Sequence, residues 1–154
     1  MFLRKLRIKR QKWALIVKAR KLAVLCGMAD FVVADNICTN VAKAGLKCFT
    51  KRHVDEKDIT WQLAMSTGVF EGAFLRCWES NKPGARFVDI DTKNQLWKFD
   101  GRLPHEVVKT NFTGIRFSVI FFKVYDKAIT APTEIFHPPQ LIFDFSSVVA
   151  VPTE

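Results

Sequence analysis

The sequence predicts a mainly β domain, a sandwich or jelly roll, that follows a basic N-terminal helix. From about residue 30 onward, short β-prone runs alternate with polar breaks or with breaks that contain Gly or Pro. The predicted strands cover residues 31–38, 46–51, 60–65, 73–79, 86–90, 96–99, 105–109 and 115–125. Eight short strands at this spacing favour an all-β sandwich or jelly roll over a βαβ fold.

The chain of 154 residues fits one domain with a segment at each end. Hydrophobic residues make up 49% of it and 14 are Phe, so a packed core is expected rather than disorder. Residues 30–126 are the predicted jelly-roll domain, and residues 127–154 form a tail that contains Pro. The one apolar run of this tail, 141–151, is expected to add an edge strand.

A basic amphipathic helix or arm is predicted for residues 1–29. Within it, residues 3–25 contain good helix formers and neither Gly nor Pro, and apolar residues recur at roughly helical spacing. These apolar residues are Leu3, Leu6, Trp13, Ile16, Val17, Leu22 and Leu25. The helix can lie on a sheet, on nucleic acid or on an anionic membrane, or its basic face can simply be solvated. The absence of acids over residues 1–29 also fits an organelle transit peptide.

The positive charge of the chain is concentrated in its N-terminal third. Residues 1–52 hold thirteen Lys and Arg against two acids, whereas the remaining eleven Lys and Arg face thirteen acids. Basic clusters make phosphate contacts, so the N-terminal segment permits nucleic acid as a partner. The sequence that carries the candidate site is close to neutral.

The four cysteines show no CxxC pair and no zinc-type spacing. Free, mostly buried thiols in a reducing, intracellular compartment are therefore expected. No apolar run approaches the roughly 18–20 residues that a membrane-spanning helix requires, so no transmembrane segment is predicted.

Two histidines and one carboxylate form a candidate set of metal ligands. His53 and Asp55 are two residues apart, so in a β-strand their side chains can point the same way. A second strand that brings His105 beside them would complete a facial triad of two histidines and one carboxylate, with open coordination positions for Fe(II). Taken alone, the three residues are ordinary: a surface histidine, a turn or helix-cap carboxylate, and a histidine that begins a strand.

Arg116 and Ser118 form a candidate anion site on the strand predicted for residues 115–125. Strand alternation puts both side chains on one face. A guanidinium with a hydroxyl two residues further on suits a carboxylate, which it can bind by fork-type hydrogen bonds. The ordinary alternative for Arg116 is an unremarkable sheet cation.

Four short motifs follow one another along residues 53–118. They read His53-x-Asp55, Gly68-Val-Phe-Glu-Gly72, Trp97-x-Phe99-Asp-Gly-Arg102-x-x-His105 and Gly114-x-Arg116-x-Ser118. In order and spacing the set resembles the Fe(II)/2-oxoglutarate-dependent oxygenase superfamily, and within it the branch that includes thymine and 5-methylcytosine dioxygenases. The resemblance covers about residues 35–125. Where the family often has Gly-Gly-x-Leu, this chain reads Gly72-Ala73-Phe74-Leu75, so extra bulk is expected there.

The resemblance implies a double-stranded β-helix with His53, Asp55 and His105 as iron ligands. It implies that Arg116 anchors the distal carboxylate of 2-oxoglutarate and that Ser118 assists. The family reaction uses O2 and couples decarboxylation of 2-oxoglutarate, which gives succinate and CO2, to hydroxylation of a substrate. The resemblance does not identify that substrate.

Three function classes remain open at the level of sequence. The leading one is an oxygenase that acts on a nucleobase, a protein side chain or a small molecule, with a modest preference for a nucleobase. The second is a non-catalytic jelly-roll binding module, which includes a degenerate oxygenase. The third is a nucleic-acid-binding protein that works through its basic N-terminal helix.

Overall fold

The structure is a computed structural model, and it describes residues 36–45, 49–59, 61–124 and 138–146. These residues form a curled antiparallel sheet and contain no helix. Its strands are β1 (Asn36–Lys43), β2 (Gln62–Thr67), β3 (Phe70–Trp78), β4 (Phe87–Ile90), β5 (Gln95–Phe99), β6 (His105–Phe122) and β7 (Gln140–Asp144). The mainly β class predicted from the sequence is confirmed.

The long strand β6 holds the sheet together. The sheet has the order β4-β3-β6-β2-β5-β7, and β1 also pairs with β6. The first part of β6 pairs with β3, from His105 to Gly114, whereas its second part pairs with β1 and β2. One strand therefore passes from one side of the curl to the other and contributes side chains to both.

Strand β6 bends where the sequence predicted a turn between two separate strands. Residues 111–114 are polar and contain Gly, a composition typical of a turn between two strands. In the structure Asn111 and Gly114 have φ values of 50° and 79° within a continuous strand. A Cβ on Gly114 would collide with the backbone carbonyl of Val69 on the paired strand. The turn-type residues thus bend a single strand instead of separating two, and the prediction of two strands was wrong here.

The two faces of β2 contribute to two different apolar clusters. The outer cluster contains Trp61, Leu63, Leu96 and Phe121, with Phe143 and other residues of the 138–146 segment packed against it. The inner cluster contains Ala64, Leu75, Cys77, Ile90 and Phe99. Strand alternation explains this division, because Leu63 and Ala64 are successive residues and point to opposite faces.

The other predicted strands correspond to observed ones with shifted ends, apart from the strand predicted for residues 46–51. There, residues 49–52 belong to no strand, although the backbone NH of Val107 donates to the carbonyl of Thr50 at 3.0 Å. Strand β7 covers the first part of the run 141–151, where an edge strand was expected, and it pairs with β5 at the end of the sheet. The predicted N-terminal helix, residues 1–29, lies outside the described residues. Among the described residues, no helix has the length and apolar character needed to cross a membrane.

Candidate metal and anion site

His53 and His105 lie directly opposite each other in the backbone. Each of the two residues donates its backbone NH to the carbonyl of the other, at 3.0 and 2.9 Å. Residues that are paired in this way project their side chains to the same face, and the two imidazole ring centroids are 4.2 Å apart. The expectation that a second strand brings His105 beside His53 agrees with this geometry.

Asp55 completes the group from the same segment as His53. Its backbone NH donates to the carbonyl of Gly101 at 2.8 Å, which holds the segment against the turn before β6. Its Oδ1 lies 3.7 Å from Nε2 of His53, and its Oδ2 lies 3.7 Å from Nε2 of His105. We call His53, Asp55 and His105 the triad. Its ligand atoms all lie within 4.8 Å of one another, so the triad could hold a metal ion.

Backbone carbonyls orient both imidazole rings of the triad. Nδ1 of His53 lies 2.8 Å from the carbonyl oxygen of Lys51, and Nδ1 of His105 lies 3.0 Å from that of Leu103. Because a carbonyl oxygen only accepts, each Nδ1 carries the proton and donates it. In the neutral form of each ring Nε2 then carries the lone pair, and the two Nε2 atoms are the ones that face Asp55.

The triad is buried on one side and accessible on the other. His105 is only 5% exposed, whereas the side chains of His53 and Asp55 are 37% and 38% exposed. Burial lowers the pKa of His105, although its hydrogen bond to the Leu103 carbonyl partly opposes this. The neutral imidazole that burial favours is the form that binds a metal ion.

Gln62 and Asp58 support the triad, and neither was identified from the sequence. Nε2 of Gln62 donates to Oδ2 of Asp55 at 2.5 Å and to Oδ2 of Asp58 at 2.6 Å. Burial raises the pKa of Asp58 to about 6, and the hydrogen bond from Gln62 opposes that rise. Gln62 shares its face of β2 with Ala64 and Ser66, so the pattern of this short strand gives no signal that singles it out.

Arg116 and Ser118, which we call the anion patch, lie on the inner face of β6. The two residues are 6% and 5% exposed. Nη2 of Arg116 donates to Oγ1 of Thr92 at 3.3 Å, and Oγ1 of Thr92 also lies 2.8 Å from the hydroxyl of Ser66. The predicted shared face of Arg116 and Ser118 is confirmed, and Thr92 and Ser66 are neighbours that sequence reasoning missed.

The Arg116 guanidinium is buried, and no acid of the described segments pairs with it. Among the residues that the structure describes, its Nε is the buried side-chain nitrogen or oxygen that has no hydrogen-bond partner. No carboxylate of the described segments lies within 4.0 Å of it. Burial lowers the pKa of Arg116 to about 10, with the negative charge of Asp91 acting in the opposite direction. A buried, unpaired cation with a free donor is suited to binding an anion.

One cavity joins the triad to the anion patch. Its volume is about 700 Å³, and all five of these residues line it. Apolar side chains of the inner face, among them Leu75, Phe99 and Ile120, complete its walls. A mostly apolar cavity of this size with a few convergent polar groups is typical of a small-molecule site.

The remaining candidate residues have structural roles. Asp100 and Arg102, in the turn before β6, pair with each other through two hydrogen bonds of 2.9 Å. Extra bulk was expected at Ala73 and Phe74, but these residues do not line the cavity, so their bulk does not fill it. Leu75 does line the cavity. Of the cysteines, Cys38 and Cys77 are free thiols.

Comparison with known proteins adds no relative to this description. No protein-family model, no curated protein and no solved structure matches the chain. The case for function therefore depends on the site itself.

Proposed function

We propose that the protein is an Fe(II)- and 2-oxoglutarate-dependent oxygenase whose curled sheet is a double-stranded β-helix, or jelly roll. The observation that carries the proposal is that one cavity contains both a His-Asp-His group and a buried cation whose Nε has no hydrogen-bond partner among the described residues. The first suits an ion that keeps open positions, and the second suits the far carboxylate of a diacid. Neither feature on its own would distinguish an oxygenase from a simple metal site or anion site.

The triad has the donor set that Fe(II) requires in such enzymes. Two ligand atoms at right angles, each about 2.1 Å from an ion, lie about 3 Å apart. Nε2 of each histidine lies 3.7 Å from an oxygen of Asp55, and the ligand atoms all lie within 4.8 Å of one another, so the side chains would close inward on the ion to reach that spacing. When bound there, Fe(II) would supply the activation of O2 that couples loss of CO2 from 2-oxoglutarate to hydroxylation of the substrate.

The chain's own residues would bind and orient the reactants. Arg116 would donate to the distal carboxylate of 2-oxoglutarate through its unpartnered Nε, and the hydroxyl of Ser118 would assist. The apolar walls would keep bulk water away from the reacting atoms and so strengthen these contacts. Burial of Arg116 adds to this effect, because a desolvated cation gains more from an incoming anion than an exposed one does.

For the substrate we favour a nucleobase. The support is the basic N-terminal third of the chain, which carries eleven more cations than acids over residues 1–52. A protein side chain or a small molecule would be the alternative substrate if turnover does not depend on nucleic acid.

The test measures succinate formation by anaerobically purified protein after addition of Fe(II), 2-oxoglutarate and O2. We expect slow substrate-independent turnover in the wild type and its loss in His105→Ala, because that change removes a ligand of the triad. Arg86→Ala is the matched control, since its side chain is 85% exposed and belongs to neither site. It should retain wild-type turnover.

Two results would contradict the proposal. Equal succinate formation by wild type and His105→Ala would show that the triad is not involved. A wild type that neither turns over nor takes up Fe(II) would favour the non-catalytic binding module instead. In that case, salt-dependent binding of DNA or RNA that survives His105→Ala would point to the basic helix as the functional element.

A further inference from the structure

We propose that Gln62 is a positioning residue that engages one oxygen of Asp55 by a hydrogen bond, so that Asp55 binds the ion through its other oxygen. The inference rests on the proposed function, because it concerns a ligand of the same triad. It adds a residue that was not identified from the sequence.

The contacts of Gln62 fix one oxygen of Asp55. Gln62 is 2% exposed, and its Nε2 donates to Oδ2 of Asp55 at 2.5 Å. A side-chain amide nitrogen has two hydrogens, and the second is donated to Oδ2 of Asp58 at 2.6 Å. Both donors are therefore used, and neither bond can break without leaving a buried polar group unpaired.

The carboxylate of Asp58 is the second anchor of the Gln62 amide. Asp58 is also 2% exposed, and its backbone NH donates to the carbonyl of Asp55 at 3.0 Å. Asp58 also forms an isolated β-bridge with Val124, which follows β6. Because Asp58 is fixed at both its backbone and its side chain, the Gln62 amide is held between a rigid anchor and the triad.

Gly101 provides the space through which Gln62 reaches Asp55. A Cβ at this position would overlap the Gln62 amide group. The carbonyl of the same glycine accepts the backbone NH of Asp55 at 2.8 Å. One loop residue thus holds the main chain of Asp55 and leaves room for the group that holds its side chain.

The consequence for the ion is a carboxylate that binds through one oxygen. Oδ1 and Oδ2 of Asp55 each lie 3.7 Å from the Nε2 atom of one triad histidine, so both face the ion site. The difference between them is that Oδ2 accepts the hydrogen bond from Gln62. If both oxygens bound the ion, the triad would occupy one more coordination position, and fewer would remain for 2-oxoglutarate and O2. By engaging Oδ2, Gln62 keeps that position open.

The experiment counts the water molecules bound to Mn(II) in the full-length protein, from the broadening of the Mn(II) resonance in ¹⁷O-enriched water. We expect Gln62→Met to carry one bound water fewer than the wild type, because the released Oδ2 closes onto the ion. Met has the length of Gln but no donor. Gln95→Met is the matched control: Gln95 is a partly buried glutamine on β5 that bonds Asp144, and the wild-type water number is expected.

A second pair of variants keeps the test informative if Gln62→Met does not fold. In Gln62→Met the buried Asp58 carboxylate loses its donor, so the comparison is repeated between Asp58→Asn and the double variant Asp58→Asn/Gln62→Met, with folding checked by circular dichroism. The same difference of one water is expected. Equal water numbers within either folded pair would overturn the role of Gln62 and leave the proposed function standing. A wild type that takes up no Mn(II) would overturn both.

Discussion

The triad and the anion patch line the same cavity, but they differ in how well their polar groups are satisfied. In the triad, backbone carbonyls hold both imidazoles, and Gln62 and the Gly101 carbonyl hold Asp55. In the anion patch, the buried Arg116 guanidinium donates to Thr92 at 3.3 Å, and its Nε has no partner in the part of the chain that the structure describes. The polar groups of the triad are thus hydrogen-bonded before any ligand binds, whereas the anion patch keeps an unsatisfied donor.

This difference indicates where ligand binding would stabilise the protein most. A group whose hydrogen bonds are already made gains little from further contacts within the chain, whereas an unpaired buried group costs about 1–3 kcal/mol until a partner arrives. We therefore expect stability without ligands to be limited at the anion patch rather than at the triad.

The largest effect is expected in the alkylation rates of Cys77, which lies opposite the triad residue His105, and of Cys38, which lines the cavity. Cys77 pairs with His105 across β3 and β6, and burial raises the pKa of its thiol to about 12. Cys38 is partly exposed and lines the cavity opposite Ile120. At pH 8 the raised pKa leaves Cys77 with about a thousandfold less thiolate than an ordinary cysteine.

Alkylation followed by peptide mapping measures this contrast. We expect rapid labelling of Cys38 and about a thousandfold slower labelling of Cys77, with the protection of Cys77 lost in denaturant. Cys38→Ser serves as the control that assigns the fast site. If Cys77 reacts in the folded protein as fast as it does in denaturant, its thiol is not buried beside His105 as described.

The next effect concerns binding of 2-oxoglutarate by the metal-loaded protein. We expect Arg116→Ala to weaken it by about a hundredfold, because charge-assisted hydrogen bonds to a carboxylate contribute about 1.5–3 kcal/mol. Uptake of Mn(II) should be unchanged, since Arg116 is not a ligand of the triad. Calorimetric titration of both ligands separates the two, with Arg86→Ala as the exposed-arginine control. Loss of Mn(II) uptake with retention of 2-oxoglutarate binding would show that the roles are reversed.

A smaller effect is expected on stability without ligands. Arg116→Met removes a buried unpaired cation and keeps a long side chain, so we expect the free energy of unfolding to rise by about 1–3 kcal/mol at pH 7. The sign follows from the lowered pKa: the folded state disfavours the charged form, and this cost is present at every pH below about 10. Urea unfolding measures the change. A destabilised Arg116→Met would mean that the guanidinium already has its partner.

Alternation and order along the chain were enough to predict much of this site. The two-residue spacing of Arg116 with Ser118 specifies a shared face, because both lie in β6 and the side-chain period of a strand is two. His53 and Asp55 belong to no strand; His53 forms only an isolated bridge with His105. The resemblance of the motif order to oxygenases supplied the pairing of His105 with His53. The class of the fold could be predicted for a similar reason, since turn-type residues recur between β-prone runs.

The support of the site could not be predicted from the sequence. Gln62 and Asp58 meet Asp55 through contacts whose direction depends on how the chain turns after Asp55, and that turn is set by Gly101 more than forty residues away. The bend of β6 was missed because Asn and Gly with positive φ occur both in tight turns and within bent strands. Local composition does not distinguish the two, whereas pairing with β3 does.

The continuity of β6 has a consequence for how this site can change. His105 begins the strand and Arg116 lies eleven positions later on it, so the number of residues between them is part of the site. A single insertion or deletion between Gly114 and Arg116 would turn Arg116 to the outer face, where Ile115 and Phe117 now lie 39% and 46% exposed. Changes in the length of this stretch would therefore separate the cation from the cavity, so the cation and the histidine must be inherited as a unit of fixed length.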